Sequence, residues 1–445
     1  MKSYSPMGEI RKLKSKVFQS VTPLLDGGKL KELFCGHTTR ERVYSIKTLM
    51  QLWLHQSAVG CSCREAVAWG IANGLVPKFA SPKTAAYCNS RSRVKSESIY
   101  RLMTLVGSGI EASADKRRRP FGRDVIVVDG SSVQLPDTPA NSAEYIYQAR
   151  QKPGCGQPIM SIAVLMGLGS GAILAMSECG ELGHERAMFR SLWPSLKRGQ
   201  IVLGDCGFCS YGEFAKLLEA GVDVVMCQRP DYLDNKKKIE IGRGDYTVIW
   251  EKGSQELKWT DHEKLPERLV VRAIEFTTTS GNGKSVRRVI FTTLLDRKKY
   301  TKKKLIKLYH RRWEIELSLD DIKTEMGMDL LKCKTPERCR AEIYMCLIAY
   351  NIIRGVMLDA ALNAGLTPRD ISFKGAMQRL DIYLRRDSFD GDPEEKYRVL
   401  LKHLADDKLV KRPGRYEPRM RKRRNKNYSL LTKPRNSFKH AVCTP

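Results

Sequence analysis

Short apolar runs that follow one another after residue 124 are the feature that most constrains the fold. Four of them are typical of buried strands, being rich in apolar and β-branched residues with turn residues at their ends: DVIVVDGSSVQL, PIMSIAVLMGL, GAILAMSEC and GQIVLGDCGF. A helical segment, HERAMFRSLWPSL, separates the third run from the fourth. Strands interrupted by helices in this order predict a mixed α/β sheet.

Two of these strands end at an aspartate. Asp129 ends the DVIVVD run and Asp205 ends the IVLGD run, and turn residues follow both. Open α/β sheets place their chemistry at the carboxyl ends of strands, which makes both aspartates candidate site residues. A single aspartate at such a position more often forms a turn or caps a helix. Two of them in one sheet favour the functional interpretation.

A third acidic residue lies in the segment YHRRWEIELSLDDIK, residues 309–323. At about 100° per residue, the apolar side chains of this segment form the core-facing stripe of one continuous helix. Four polar residues fall along one shoulder of that stripe: Tyr309, Arg312, Glu316 and Lys323. A carboxylate so placed is half-buried among cations, which suits a metal or phosphate site. The alternative is a solvated helix face held by charge pairs four residues apart.

The charge of the chain favours a polyanionic partner. Lys plus Arg outnumber Asp plus Glu by 78 to 49, a formal charge of +29, and nucleic acid is the partner that such a charge suits best. A basic helical segment, residues 1–115, predicts a small DNA-binding domain. A terminal segment, residues 408–435, holds twelve Lys or Arg against one acidic residue and is interpreted as a nonspecific DNA arm. Ordinary solvated basic faces and tails are the alternatives for the four candidate phosphate contacts: Arg91, Arg93, Arg421 and Arg423.

Residues 230–300 break the α/β rhythm, because their side chains alternate between apolar and polar as in antiparallel strands. We interpret them as a β-rich insertion between Asp205 and the glutamate helix. Trp250 and Trp259 stand among lysines in this segment. They could stack on an unpaired base, but packing in the core is the more common role of a tryptophan.

Other classes of protein fit the chain less well. The thirteen cysteines are an odd number and a small share of a long chain, which does not suggest a disulfide scaffold. The first residues contain no apolar signal segment, so reduced thiols in a cytoplasmic protein are expected. Cys206 and Cys209 form a lone CxxC pair, for which structural thiols are favoured over a metal knuckle. No uncharged apolar run reaches 18 residues, so no membrane-spanning segment is expected.

The three acidic residues together suggest one chemistry. Asp129, Asp205 and Glu316 would converge if the glutamate helix packs beside the two aspartate strands. Three carboxylates can hold two divalent cations about 3.5–4 Å apart, which serve an in-line phosphoryl displacement. Such a site needs hard oxygen ligands on rigid elements and requires neither histidine nor cysteine.

The polar shoulder of the helix also resembles a known signature. Its spacing, Y-x2-R-x3-E-x6-K, is similar to that of bacterial DDE transposases of the insertion-sequence family numbered four, and all four positions match. VVDGSSVQLPD and GDCGFCSY resemble the first and second aspartate blocks of that family, and AYNIIR and RPGRYEPRMRKRRNKNYSLLTKPR resemble its later segments. The resemblance covers most of residues 120–435.

The resemblance implies an α/β fold: an RNase H-like mixed-sheet catalytic core with a β-rich insertion, a helical N-terminal domain and a basic C-terminal tail. The corresponding ranges here are a helical DNA-binding domain at 1–118, core segments at 119–229 and 301–375, the insertion at 230–300 and the tail at 376–445. Asp129, Asp205 and Glu316 would be catalytic and would bind Mg²⁺, or Mn²⁺ in its place. Tyr309, Arg312 and Lys323 would grip phosphates near the cleaved end.

The activity implied is DNA transposition in a bacterial cytoplasm, at the nucleoid. The enzyme would bind the inverted repeats of a mobile element in double-stranded DNA, cut their ends through hairpin intermediates and join them to target DNA as a homodimer. Two alternatives stay open: a catalytically inactive DNA-binding relic, and an RNase H-like nuclease. The intact carboxylate triad argues against the first, and the basic arm and the Tyr, Arg and Lys beside Glu316 argue against the second.

Deletion of residues 408–445 is expected to flatten the salt dependence of DNA binding. Each phosphate contact that the arm supplies releases counterions, so its loss lowers the slope of log affinity against log salt. Titrations of labelled DNA at several salt concentrations measure that slope for both proteins. An unchanged slope after the deletion would remove the arm from the DNA-binding surface.

Overall fold

A single nine-stranded mixed sheet organises the chain. The computed structural model describes residues 25, 27–35, 43–77, 80–147, 154–180, 185–253, 264–279, 285–385, 392–409, 431–434 and 437. The strands, in chain order, are β1 Val125–Gln134, β2 Ile159–Gly167, β3 Ile173–Cys179, β4 Ile201–Gly204, β5 Asp223–Gln228, β6 Lys238–Gly242, β7 Asp245–Glu251, β8 Arg268–Thr279 and β9 Ser285–Thr292. Their order across the sheet is β3-β2-β1-β4-β5-β9-β8-β7-β6.

The first five strands confirm the predicted α/β fold. β1, β2 and β3 form an antiparallel meander, whereas β4 and β5 run parallel to β1. This is the RNase H-like arrangement that the resemblance implies. β1 and β4 are neighbours in the middle of the sheet, so the two aspartate strands end at the same edge.

The β-rich segment continues this sheet. β9 pairs antiparallel with β5, and β8, β7 and β6 follow it outward. Trp250 on β7 is 2% exposed, packs edge-on against the rings of Phe214 and Phe291, and donates a 2.8 Å hydrogen bond from Nε1 to the hydroxyl of Tyr232. Trp250 is therefore a core residue. Trp259 lies outside the described residues.

Helices cover both faces of the sheet. Their bounds are α1 Gly27–Leu33, α2 Ile46–Val59, α3 Cys63–Ala72, α4 Ala85–Arg93, α5 Ser96–Ala112, α6 Pro139–Glu144, α7 Glu185–Leu192, α8 Tyr211–Glu219, α9 Pro230–Asp234, α10 Lys302–His310, α11 Trp313–Asp320, α12 Pro336–Asn363, α13 Phe373–Arg385 and α14 Pro393–Asp406. Side chains alternate along β1 between the two faces of the sheet. Val125 and Val127 pack in a first hydrophobic core with α5 and α12, whereas Ile126 and Val128 pack in a second core with α7 and α8.

α12 is the central helix of the first core. Among the described helices it alone is long and apolar enough to cross a membrane, but 89% of its apolar window is buried within the protein, as in the core helix of a soluble domain. Its Asn351 donates from Nδ2 to the carbonyl of Ile173 and accepts from the amide of Ile173, both at 2.8 Å. The hydroxyl of Tyr350 donates to the carbonyl of Gly171 at 3.0 Å. These bonds tie α12 to the start of β3.

Asn351→Ala is expected to lower the free energy of unfolding by about 2–4 kcal/mol, because the buried N–H and C=O groups of Ile173 would lose their side-chain partner. Denaturant unfolding followed by fluorescence measures the change. Asn363→Ala, at the exposed end of the same helix, is the matched control and should have little effect. Equal losses in the two variants would contradict this role of Asn351.

Candidate active site

Asp129 is the fifth residue of β1, which continues to Gln134, so the prediction that this strand ends at Asp129 is wrong. The four residues before it are buried, and its own side chain is 16% exposed. Its Oδ1 accepts a 2.9 Å hydrogen bond from the amide of Gly130. Burial raises the pKa of Asp129 to about 6, with a further increase from the charges of Asp205 and Glu316, whereas the Gly130 amide and Arg312 lower it. The carboxylate is thus held in a poorly hydrated place next to two others.

Asp205 follows β4 directly. β1 and β4 pair in parallel as far as Val127 and Leu203, so Asp129 and Asp205 both lie beyond the last paired residues of neighbouring strands. The charge of Asp205 contributes to the raised pKa of Asp129. The amide of Gly207 donates a 2.8 Å hydrogen bond to Oδ1 of Asp205 and fixes its orientation.

Glu316 reaches the same edge from α11. Ile315 and Leu319 of this helix are buried in the first core, which leaves Glu316 on the side facing the aspartates, 31% exposed. Arg312 lies between the carboxylates: its Nη2 is 2.6 Å from Oε1 of Glu316, and its Nη1 is 3.9 Å from Oδ2 of Asp129. One guanidinium therefore bridges the glutamate of the helix and the aspartate of the strand.

The prediction of one continuous helix over 309–323 is wrong. α10 ends at His310, α11 begins at Trp313, and residues 321–325 form a π turn. Amides around the junction bond to carbonyls three residues back, as in the bond from Arg312 to Tyr309, which tightens the backbone there. The single angular count made from the sequence assumed a constant 3.6 residues per turn, and it fails across both irregularities.

Tyr309 and Lys323 consequently lie on different segments. Tyr309, on α10, is largely buried, and its hydroxyl is hydrogen-bonded to the thiol of Cys227, while burial raises its pKa. Lys323, in the π turn, is 28% exposed and forms an ion pair with Asp329 at 3.5 Å. Their phosphate contacts stay predictions, and Lys323 is the more accessible of the two.

A fourth carboxylate, Glu185, borders the site and was missed in the sequence. It is the first residue of α7, and its Oε1 lies 2.6 Å from the position that a Cβ on Gly130 would take. Its Oε2 lies 3.3 Å from the corresponding position on Gly207. Burial and the charge of Asp205 raise the pKa of Glu185. Gly130 and Gly207, which follow the two aspartates closely, were the only sign in the sequence that another side chain packs there. Their spacing does not tell which segment supplies that side chain.

The donor set suits hard divalent cations, because it consists of carboxylate oxygens. Within the described part of the chain, no group of three or more His, Cys, Asp or Glu side chains could hold one metal ion by itself. The arrangement is pairwise: Asp129 stands beside Asp205, and Asp129 and Glu316 share the Arg312 cation. Pairs of carboxylates would leave coordination positions for other oxygens. Cys209 is buried and Cys206 exposed, and both thiols are free.

The arginines predicted to contact phosphate outside the triad differ in their surroundings. Arg91 on α4 packs inward, with its guanidinium carbon 4.3 Å from the ring centroid of Trp53 and a 3.0 Å hydrogen bond from Nη1 to Oε1 of Gln56. This placement favours a packing role for Arg91. Arg93 is exposed on the same helix. Arg421 and Arg423 lie outside the described residues, and the DNA contacts of all four arginines stay predictions.

Comparison with known proteins gives two matches. The sequence model of a family described as "Transposase DDE domain" matches residues 120–352, a range that contains Asp129, Asp205 and Glu316. A curated relative, "Transposase InsG for insertion sequence element IS4" from Escherichia coli (strain K12), is 27% identical over 374 residues, which cover 81% of this chain and 80% of the relative.

Asp129→Asn is expected to stabilise the cation-free protein near neutral pH and to have little effect near pH 3. Its pKa of about 6 in the folded chain exceeds the usual value of about 3.9, so the ionised carboxylate destabilises the fold above pH 6 and not below both values. Thermal unfolding at the two pH values should show a gain on the order of 1–3 kcal/mol only at the higher one. The exposed Asp406→Asn serves as control, and an equal gain at both pH values would contradict the assignment.

Proposed function

The chain belongs to the DDE transposases of the insertion-sequence family numbered four, and from this premise we propose that it cuts the inverted-repeat ends of a mobile element and joins them to target DNA. As a DDE transposase it is a metal-dependent polynucleotidyl transferase and endonuclease. One observation chiefly supports the proposed site. Arg312 pairs with Glu316 of α11 and with Asp129 of β1, and the charge of Asp205 also acts on Asp129.

In this proposal the strands and the helix hold the reacting groups rigidly. Asp129 and Asp205 are oriented by the amides of Gly130 and Gly207, and Glu316 is carried by a helix that is anchored in the core. Asp129, Asp205 and Glu316 would hold Mg²⁺ or Mn²⁺, which would supply Lewis-acid activation of the attacking oxygen and stabilisation of the leaving oxygen. Burial of the carboxylates strengthens their attraction for such cations.

Arg312 has two roles in this scheme. Without DNA it neutralises Glu316 and Asp129, which otherwise repel each other in a poorly hydrated place. With a DNA end bound, its fork of N–H donors suits a phosphate beside the carboxylates. Lys323, partly exposed in the π turn, would hold a neighbouring phosphate as a point charge. Tyr309, packed under Arg312, would fix the position of the α10–α11 junction.

Glu185 would complete the oxygen lining next to Asp205. Gly130 and Gly207 leave room for its carboxylate, and a side chain on Gly130 would clash with it. Because α7 approaches from the other face of the sheet, Glu185 adds a donor that neither the strands nor α11 can supply. We assign it a supporting position beside Asp205, outside the triad itself.

The reaction that this site would perform is a series of in-line displacements. Water attacks a phosphodiester at the element end, the bond to the 3′ oxygen breaks, and that oxygen leaves as a hydroxyl. The 3′-hydroxyl then attacks the opposite strand to form a hairpin, which water reopens before the end is joined to target DNA. Synapsis of two ends suits a homodimer on double-stranded DNA, in the bacterial cytoplasm at the nucleoid.

Glu316→Gln and Lys323→Ala are expected to fail differently. Glu316→Gln keeps the shape of the side chain but removes a cation-binding charge, so cleavage in magnesium should fall by several orders of magnitude. DNA-end binding should persist or tighten, because a negative charge near phosphate is gone. Lys323→Ala should weaken binding of the end and slow cleavage less completely. Gel assays of binding and cleavage, with duplexes copied from the terminal repeats that flank the gene, measure both effects.

Glu219→Gln, on the exposed face of α8, is the matched control and should cleave at the wild-type rate. A folded Glu316→Gln protein that still cuts element ends at near the wild-type rate would refute the catalytic role. An RNA–DNA hybrid cleaved in preference to element ends would indicate the RNase H-like nuclease. Wild-type protein that binds element ends without cutting them in magnesium or manganese would indicate the inactive relic.

A further inference from the structure

A cavity lined by several charged side chains lies behind the glutamate helix. It has a volume of about 190 Å³ and is bounded by the end of α5, the start of β1, the turn between β2 and β3, and α12. Arg311 and Glu314 reach it from the α10–α11 junction. Glu314 and Glu316 are two residues apart on α11 and so point to opposite sides of that helix. The cavity is therefore separate from the active site but shares the helix.

Arg354 of α12 is the unusual residue of this cavity. It is 1% exposed, and neither its Nε nor its Nη2 has a hydrogen-bond partner among the described residues. Its Nη1 meets only the sulfur of Met357, at 3.8 Å. The guanidinium lies directly under Gly171, where a Cβ would fall 2.3 Å from Nη2. A buried cation with unused donors costs several kcal/mol unless an acceptor reaches it.

The acidic residues around the cavity already have partners. Glu111 accepts from the hydroxyl and amide of Ser170, at 2.5 and 2.9 Å. Glu314 pairs with Arg311 at 2.7 Å and with Arg369 at 3.6 Å, and Asp124 pairs with Arg119. None of these carboxylates bonds to Arg354 in the described part of the chain.

Asp321 is the nearest further candidate for a partner of Arg354. The charges of Arg354 and Arg369 lower its pKa, but burial outweighs them and raises the pKa to about 6. Its carboxylate is 4.0 Å from Arg369, and no hydrogen bond or ion pair joins it to Arg354 among the described residues. Arg119 and Arg369 also line the cavity, and the Nε of each lacks a hydrogen-bond acceptor.

We propose that this cavity binds a small oxyanion of the phosphate or sulfate class, held by Arg354 together with Arg119 and Arg369. A guanidinium fork matches the oxygens of such an anion, and three of them in one cavity supply both charge and N–H donors. The volume equals that of about six water molecules, which is ample for one tetrahedral anion and its hydration. The bound anion would link α12, the β2–β3 turn and the base of the glutamate helix.

The test uses the full-length protein and inorganic phosphate at constant ionic strength. Phosphate in the low-millimolar range should raise the melting temperature by roughly 2–5 °C, in proportion to the logarithm of its concentration above the dissociation constant. Arg354→Met should lose this rise. Arg117→Met removes the same charge from a side chain that is 91% exposed, and it should keep the rise. An increase of equal size in every variant reflects exclusion of phosphate from the surface and counts against the site.

Equilibrium dialysis with labelled phosphate provides the second readout. One site per chain is expected in the wild type, with affinity reduced about tenfold or more in Arg119→Met. Arg119→Met also decides the matter if Arg354→Met does not fold. Absence of saturable binding to the wild type would overturn the proposal and leave water as the occupant. Binding that is unchanged in Arg354→Met or Arg119→Met would overturn it as well, because the phosphate would then lie elsewhere.

Discussion

Crowding of carboxylates on two neighbouring parallel strands is the constraint on which the site depends. Asp129 lies within β1 and Asp205 directly follows β4, and burial of Asp129 together with the charge of Asp205 raises the pKa of Asp129. The chain offsets this cost with backbone amides on each aspartate and with the guanidinium of Arg312. Arg312 can reach both Asp129 and Glu316 because it lies at the tight junction between two helices. The break in the helix is thus part of the electrostatic arrangement of the site.

Much of this could be predicted from the sequence. The strands were recognisable because runs such as DVIVVD and QIVLGD bury nearly every side chain, and a buried strand leaves a strong pattern. Glu316 was recognisable because it lies with Tyr309, Arg312 and Lys323 along one polar shoulder of the apolar helical stripe. The junction at residues 311–312 and the π turn were not predictable, since they depend on contacts of α11 with distant segments. Glu185 was hidden for the same reason, because no local pattern links it to Asp205.

The structure shows contacts of the AYNIIR segment that its resemblance to the family did not predict. Its similarity to the family identified the segment without saying what the residues do. Tyr350 and Asn351 bond to the backbone at Gly171 and Ile173, which are 179 and 178 residues away in sequence. Arg354 lies under the same turn. Partners so distant cannot be read from spacing, so the docking role of this motif emerged only from the fold.

The four strands β6–β9 also determine where the sheet stops. Unpaired edge strands offer free N–H and C=O groups to other chains. Without the insertion that edge would be β5, next to the strand that carries Asp205; with it the edge is β6, four strands further out, or roughly 19 Å. β6 is five residues long and presents exposed Lys238 and Glu240, features that resist strand addition. The insertion therefore moves this open edge of the sheet away from the strand next to Asp205 and ends it on a short strand with two exposed charges.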